Sequence, residues 1–452
     1  MDGMDEQRPE RWTADQVLAL APDASSRKAG TGLAAAARWS GTGTSGTAVW
    51  GLCAGSGSKP YQTVVDTAGP GAKCSCPSRK FPCKHAIGLL LLWSGGEVGP
   101  AAHGGGRPDW VTEWLEARRA REDRKSAPAG GGDPAAARKR AEQRERRVAA
   151  GAAELEQRLT DLLLGGLAGA DREGYGRWEE TAARMVDAQA PGLASRVREL
   201  GAVAASGGDW PSRLLEETAL LHLLNRGCLG QERLPGALAA TVRSRVGFTV
   251  DSAELLSGPT VRDHWLVLAQ HDAADDRLTT RRIWLHGRDT GRPALLLSFG
   301  AAGRAPELAL PVGLGVDAEL AYHPGARPLR AVLGTRHAAP GPGSVPPGLP
   351  VGAALAVYGQ ALADDPWLDA WPTVLAGVVP VPGDTGWQLA DGEGADAVPV
   401  AAGGGSGAGG LWRLAAVSGG RPVTVFGELG HRGFRPYTVW GEGGTAAVAL
   451  AP

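Results

Sequence analysis

Four side chains able to ligate a metal fall within twelve residues of this chain, in the segment KCSCPSRKFPCKHAIGLLLLW. There Cys74, Cys76, Cys83 and His85 follow the spacing Cys-x-Cys, six residues, Cys-x-His. Any fold that accommodates the segment has to bring all four together. The chain has only five cysteines, and Cys53 and Cys228 stand apart, which is metal-site spacing and not a disulfide framework. Three thiolates and one imidazole suit Zn²⁺, which favours tetrahedral sulfur and nitrogen ligation. Thiolate-rich sites also accept iron or cobalt, but zinc is the default. Four protein ligands close the shell and leave no position for an activated water, so the expected site is structural and not catalytic. Cys83 is expected at the start of a helix, where free N–H groups and the dipole favour a thiolate, and Pro77 and Pro82 stiffen the loop before it.

The flanking residues place the cluster. Upstream, AVWGLC (residues 48–53) and PYQTVVD (60–66) read as two strands joined by AGSGSK. Downstream, HAIGLLLLW is apolar on every side, the pattern of a helix buried on more than one face. The local order is strand, strand, metal knuckle, helix. Near the start, Thr13 and Gln16 have the spacing of a capping box opening a short helix through Val17, Leu18 and Leu20, which Pro22 ends. After Trp39, SGTGTSG reads as a turn cluster. Its Gly41, Gly43 and Gly46 form a G-x-G-x-x-G, but the motif precedes a strand instead of opening a helix, so a dinucleotide reading fails. Cys53 reads as a small buried side chain.

The ligand spacing, with WGLCAGSGSKPYQTVVD before it and CSCPSRKFPCKHAIGLLLL around it, resembles the bacterial SWIM zinc finger proteins from about residue 10 to about residue 95. The resemblance implies a ββα zinc-binding fold with Cys74, Cys76, Cys83 and His85 as ligands of one structural Zn²⁺. It implies DNA binding or protein–protein interaction as the role. Proteins of this sort are often encoded beside a MoxR-type AAA ATPase and a von Willebrand A domain protein, which implies a partner in a chaperone-like or metal-insertion system.

A chain of 452 residues is long enough for two to four domains. The expected class is α+β multidomain: a SWIM finger module with a helical entry at 1–95, a basic linker or helix at 96–150, a helical domain at 151–240 and a β-rich domain at 245–452. Apolar residues at helical spacing define the third of these: Leu155, Leu159, Leu162 and Leu163, then Trp178, Met185 and Val186, then Leu214, Leu215, Leu220, Leu221 and Leu224. They predict three or four packed amphipathic helices. Beyond Val246, short runs such as HWLVLAQ, RRIWLHG and ALLLSFG read as strands, interrupted by GPGSVPPGLP and AAGGGSGAGG, and leave open whether this half is one domain or two. His271, Asp272, Asp275 and Asp276 read as a polar turn between strands. The start, MDGMDEQRPERW, lacks the basic and apolar regions of a secretory signal, and Ala86 to Trp93 falls far short of the roughly 20 residues that cross a bilayer, so a soluble cytoplasmic protein is expected, with no membrane partner.

The net charge of -1 conceals an asymmetry: residues 1–150 hold 22 Lys+Arg against 16 Asp+Glu, and the remainder holds 25 against 32. A polyanion would meet the N-terminal part first. Within it, 117–147 carries 11 Lys+Arg and 5 Asp+Glu and reads as a solvated helix or a disordered arm. Lys59, Lys73, Arg79, Lys80 and Lys84 surround the ligands, and Tyr61 and Phe81 lie among them, so Lys59, Tyr61, Lys73, Arg79, Lys80 and Lys84 are candidate nucleic-acid contacts. No P-loop, H-E-x-x-H, G-x-S-x-G or EF-hand sequence occurs. The expectation is a non-catalytic zinc-binding adaptor that docks a protein, with nucleic-acid binding as the alternative and an enzyme site in 245–452 ranked last.

Overall fold

The structure, a computed structural model, describes residues 11–450 apart from 56, 58, 69–70, 79, 102–105, 127–132, 168–173, 207–208, 275–277, 302–305, 307, 339, 385, 393, 402–406 and 445. The first helix, α1 (Ala14–Ala19), opens on the expected capping box: the Gln16 N–H donates to the Thr13 hydroxyl at 3.2 Å, and the Thr13 N–H donates to the Gln16 side chain at 2.9 Å. Asp23 caps α2 (Ala24–Thr31). The expected turn cluster after Trp39 is instead a strand, β1 (Trp39–Ser45), and the chain reverses only at Gly46, where φ is +58°. Gly43 belongs in that strand for a packing reason, because the Trp50 ring lies where its Cβ would stand.

The strands β2 (Ala48–Cys53), β3 (Tyr61–Asp66) and β4 (Gly71–Cys74) join β1 in an antiparallel sheet in chain order, so the expected hairpin gains a strand on each side. The knuckle leads into α3 (Lys84–Ser94), whose Ile87, Leu89, Leu90 and Trp93 are buried together with Trp12, Val17, Val49 and Val65. On the other face of the sheet, α4 (Asp109–Ser126) sets Val111 and Leu115 against Ala48, Trp50 and Val64.

Five helices follow: α5 (Pro134–Gly165), α6 (Gly174–Asp187), α7 (Pro191–Ala204), α8 (Trp210–Leu229) and α9 (Gly236–Val246). The first is continuous across residue 150; Val148 is where it joins the apolar core, and in the basic half before that point Glu145 pairs with Arg243 of α9 at 2.7 Å and Arg144 donates to the Gly247 carbonyl at 2.9 Å. Leu155, Leu159, Leu162, Trp178, Met185, Leu214, Leu221 and Leu224 are buried together as expected. Leu163, Val186 and Leu215 are not, at 40%, 48% and 52% exposure. Each follows directly on a buried residue, and on a helix of 3.6 residues per turn adjacent side chains point about 100° apart, so only one of each pair reaches the core.

After α10 (Ser252–Ser257) come β5 (Val261–Ala274), β6 (Leu278–Gly287), β7 (Pro293–Ala301), β8 (Leu314–Tyr322) and β9 (Arg330–Arg336). Antiparallel pairs β5–β6, β6–β7, β5–β8 and β8–β9 and the parallel pair β7–β9 close these five into a barrel. The short β10 (Gly341–Pro342) adds to β8. Beyond α11 (Val351–Asp364), a second sheet is built from β11 (Ala370–Gly383), β12 (Gly386–Asp391), β13 (Ala397–Pro399), β14 (Val423–Gly430), β15 (Gly433–Trp440) and β16 (Ala447–Ala449). Its order is β13-β12-β11-β14-β15-β16, with α12 (Gly407–Ser418) inserted before β14.

Alternate residues of the barrel strands face two different cores. Trp265, Val267, Ile283 and Leu285 fill the interior, whereas Leu266, Leu268, Trp284 and Leu295 point outward against Phe426, Tyr437 and Trp440 of the second sheet. Glu428 is buried at this junction, where the Trp284 indole and the Tyr437 hydroxyl each donate to it at 3.0 Å. His271 and Asp272 lie within β5 and not in a turn. The first stacks on Tyr437 at 4.5 Å, and the second pairs with Arg281 at 2.7 Å, while Asp275 and Asp276 lie outside the described residues. Among the described residues, no helix is long and apolar enough to cross a membrane.

Leu155 is wholly buried in the helical bundle, and Leu164 on the same helix is 82% exposed. Leu155→Ala is expected to lower unfolding stability by about 2 to 5 kcal/mol, and Leu164→Ala to change it by less than about 0.5 kcal/mol, as read from denaturant midpoints.

Candidate metal centre

Strand pairing and a helix start assemble the site. Cys74 ends β4, Cys76 lies in the knuckle, Cys83 is the N-cap residue of α3, and His85 sits one residue inside that helix. The three sulfurs and one imidazole nitrogen lie within 4.8 Å of one another, and Cys74 Sγ is 3.7 Å from His85 Nδ1. A tetrahedral ion with bonds of about 2.3 Å to sulfur and 2.0 Å to nitrogen sets its ligand atoms about 3.5 to 3.8 Å apart. The donor set and its spread therefore fit one Zn²⁺. Cys83 and His85 are buried and Cys74 and Cys76 half-buried, so an ion here would have its protein shell complete and little contact with water.

The protein groups already favour a thiolate at Cys74. Its pKa is brought down to about 3, first by a hydrogen bond from Cys83, with help from His85 and Thr63 against the opposing effect of burial. Cys83 is pushed up for the reciprocal reason, because it donates to Cys74, and burial adds to this. Burial also raises Cys76. Cys74, Cys76 and Cys83 would hold a Zn²⁺ as thiolates, so its binding would be accompanied by proton release.

Two neighbours on β3 complete the surroundings. The Tyr61 ring lies 4.8 Å from the His85 ring and fixes one side of it. The Thr63 hydroxyl is 3.2 Å from Cys74 Sγ, within reach of a sulfur lone pair. Thr63 is wholly buried and pairs with Cys74 in the β3–β4 register. Sequence reasoning passed over it, although strand alternation from Tyr61 puts Thr63 on the same face.

The basic residues around the ligands do not form one patch. Lys73 pairs with Val64 and, being adjacent to Cys74 in the strand, points to the opposite face of the sheet. Lys80 bonds to Asp23 at 2.8 Å and to Ser25 at 3.1 Å, tying the knuckle to the start of α2 and holding the Asp23 carboxyl far below its usual range. Lys59 and Lys84 are exposed. Arg79 lies outside the described residues.

With this geometry in hand, residues 61–93 match the family model of the SWIM zinc finger. The chain carries a SWIM zinc finger. Residues 143–246 match a second family, the SWIM-associated four-helix bundle domain, which covers most of α5 through α9. No curated protein and no solved structure matches the chain. The SWIM finger match begins at Tyr61, so it takes in β3, β4, the knuckle and α3, while β1, β2 and the two entry helices lie before it.

Purified protein is expected to contain one zinc per chain by mass spectrometry, and Cys74→Ser and His85→Ala are each expected to lose it. Because a small site of this kind contributes directly to local folding, chelation should open the finger to proteolysis between residues 61 and 93 while the helical bundle stays protected.

Proposed function

We propose that this SWIM finger protein is a non-catalytic binding protein, an adaptor whose zinc-fixed finger docks a protein partner. The closed ligand set carries this reading: three thiolates and one imidazole leave the ion no position for substrate or water. The finger's attachment to the rest of the chain supports it further. Its core runs on into Ala309 and Leu314 of the barrel region, and Arg336 of β9 donates to the Ala68 carbonyl at 3.1 Å. A partner docked on the finger would thus engage a scaffold instead of a tethered module. The family resemblance makes a MoxR-type AAA ATPase, or the von Willebrand A protein that accompanies it, the partner class to test first.

A second reading, direct nucleic-acid binding by the finger, is favoured by one observation. Lys59, Lys73 and Lys84 are exposed and have no carboxylate partner among the described residues.

Immobilised protein treated with nuclease is expected to retain a purified candidate partner, and Cys83→Ser to release it while the bundle keeps its helical circular dichroism. No retention by the wild type would sink the adaptor reading. Binding that disappears with nuclease and falls steeply as salt rises would put the second reading in its place.

A further inference from the structure

A groove of about 910 Å³ opens between the helical bundle and the barrel, far from the zinc ligands in sequence. One wall is α5, another is α9 with the residues after it, and the third is the connection from β8 to β9. Among the described residues, five arginines line it, Arg140, Arg144, Arg147, Arg243 and Arg330, against the single carboxylate of Glu145. Glu145 is already bonded to Arg243 at 2.7 Å.

The arginines are held in different ways. Arg144 and Arg243 lie 4.5 and 4.2 Å from the centre of the Phe248 ring, and Arg144 also donates to the Gly247 carbonyl at 2.9 Å. Phe248 thus serves as a platform for two guanidinium groups and is not free to stack on a base. Arg140, Arg147 and Arg330 have no carboxylate partner among the described residues, and burial of Arg330 disfavours its charged form. A partly desolvated guanidinium without a counter-charge is stabilised by an anion. His323, beside Arg330, is held down to about 4 by burial and by that neighbour, so it is neutral at physiological pH and adds no charge.

We propose that this groove binds the phosphate backbone of a single-stranded nucleic acid. Arg140, Arg144 and Arg147 follow the i, i+4, i+7 spacing of one helix face and extend about 10 Å along it, a row suited to successive phosphates and not to one. Small five-stranded barrels bind oligonucleotides through the face of their second and third strands and through the loops joining first to second and fourth to fifth. Here the second and third strands carry Trp284 and Leu295 buried against the C-terminal sheet, whereas the connection between the fourth and fifth lines the groove. Recognition is of backbone charge, with no base readout. The site is separate from the finger, so it stands or falls independently of the adaptor reading.

The test is fluorescence anisotropy of the full chain with a labelled oligothymidylate across a salt series. Arg140 and Arg147 are exposed, so Arg140→Gln/Arg147→Gln is expected to fold normally, bind about tenfold or more weakly, and lower the slope of log affinity against log salt by about two. Arg330→Ala is expected to weaken binding as well. Lys59→Ala/Lys84→Ala on the finger is expected to bind like wild type. Absence of binding at low salt, unchanged binding in the groove variants, or loss only in the finger variant would overturn the proposal. So would tighter binding of a duplex of the same length, or displacement by adenosine monophosphate at concentrations equal to those of the oligomer.

Discussion

The place of α3 is the constraint from which the N-terminal architecture follows. The helix has eleven residues, too few for much stability alone, and its side chains are buried on nearly every side. It stays helical because α1, α2 and the four-stranded sheet cover it, and because its first turn is tied by Cys83 and His85 to Cys74 at the end of β4. The ion that these ligands fit therefore does the work of a cross-link between a strand and a helix. The same core reaches Ala309 and Leu314, so what holds the helix also holds the finger to the barrel.

Each later junction is made by a few buried polar groups set among apolar ones. Glu428 accepts from Trp284 across the two β layers, and Trp367, just after α11, packs in the bundle core and donates to the Leu220 carbonyl at 3.0 Å. Arg245 at the end of the bundle pairs with the buried Asp365 at 2.8 Å. Such contacts fix orientation, since an unpaired buried charge is costly in every alternative arrangement. The groove between bundle and barrel has a tie of its own between two of its walls, where the Ala326 N–H donates to the Thr241 hydroxyl of α9 at 2.8 Å.

The distribution of basic residues has two different consequences. Near the zinc ligands, Lys80 is used internally and Lys73 faces away, so sequence proximity overstates the local positive charge. On α5 the reverse holds. Arginines that read as a solvated arm are joined in space by Arg243 and Arg330, from positions about 100 and 190 residues further along the chain, to make one concentrated site.

The sequence by itself determined the zinc ligands, the capping box at Thr13, the buried nature of α3, the helical centre and the β-rich end. These are written in local spacing, which short-range geometry converts directly into structure. It misjudged β1, because Gly43, which looks like part of a turn, is there to admit the Trp50 ring, and it assigned Leu163, Val186 and Leu215 to a core that only their neighbours reach. Closure of the barrel by β7 and β9 and the groove under Phe248 were decided by tertiary structure alone. Each depends on residues far apart in the chain meeting through strand register or helix packing, and periodicity along a single segment carries no information about which distant segment will lie against it.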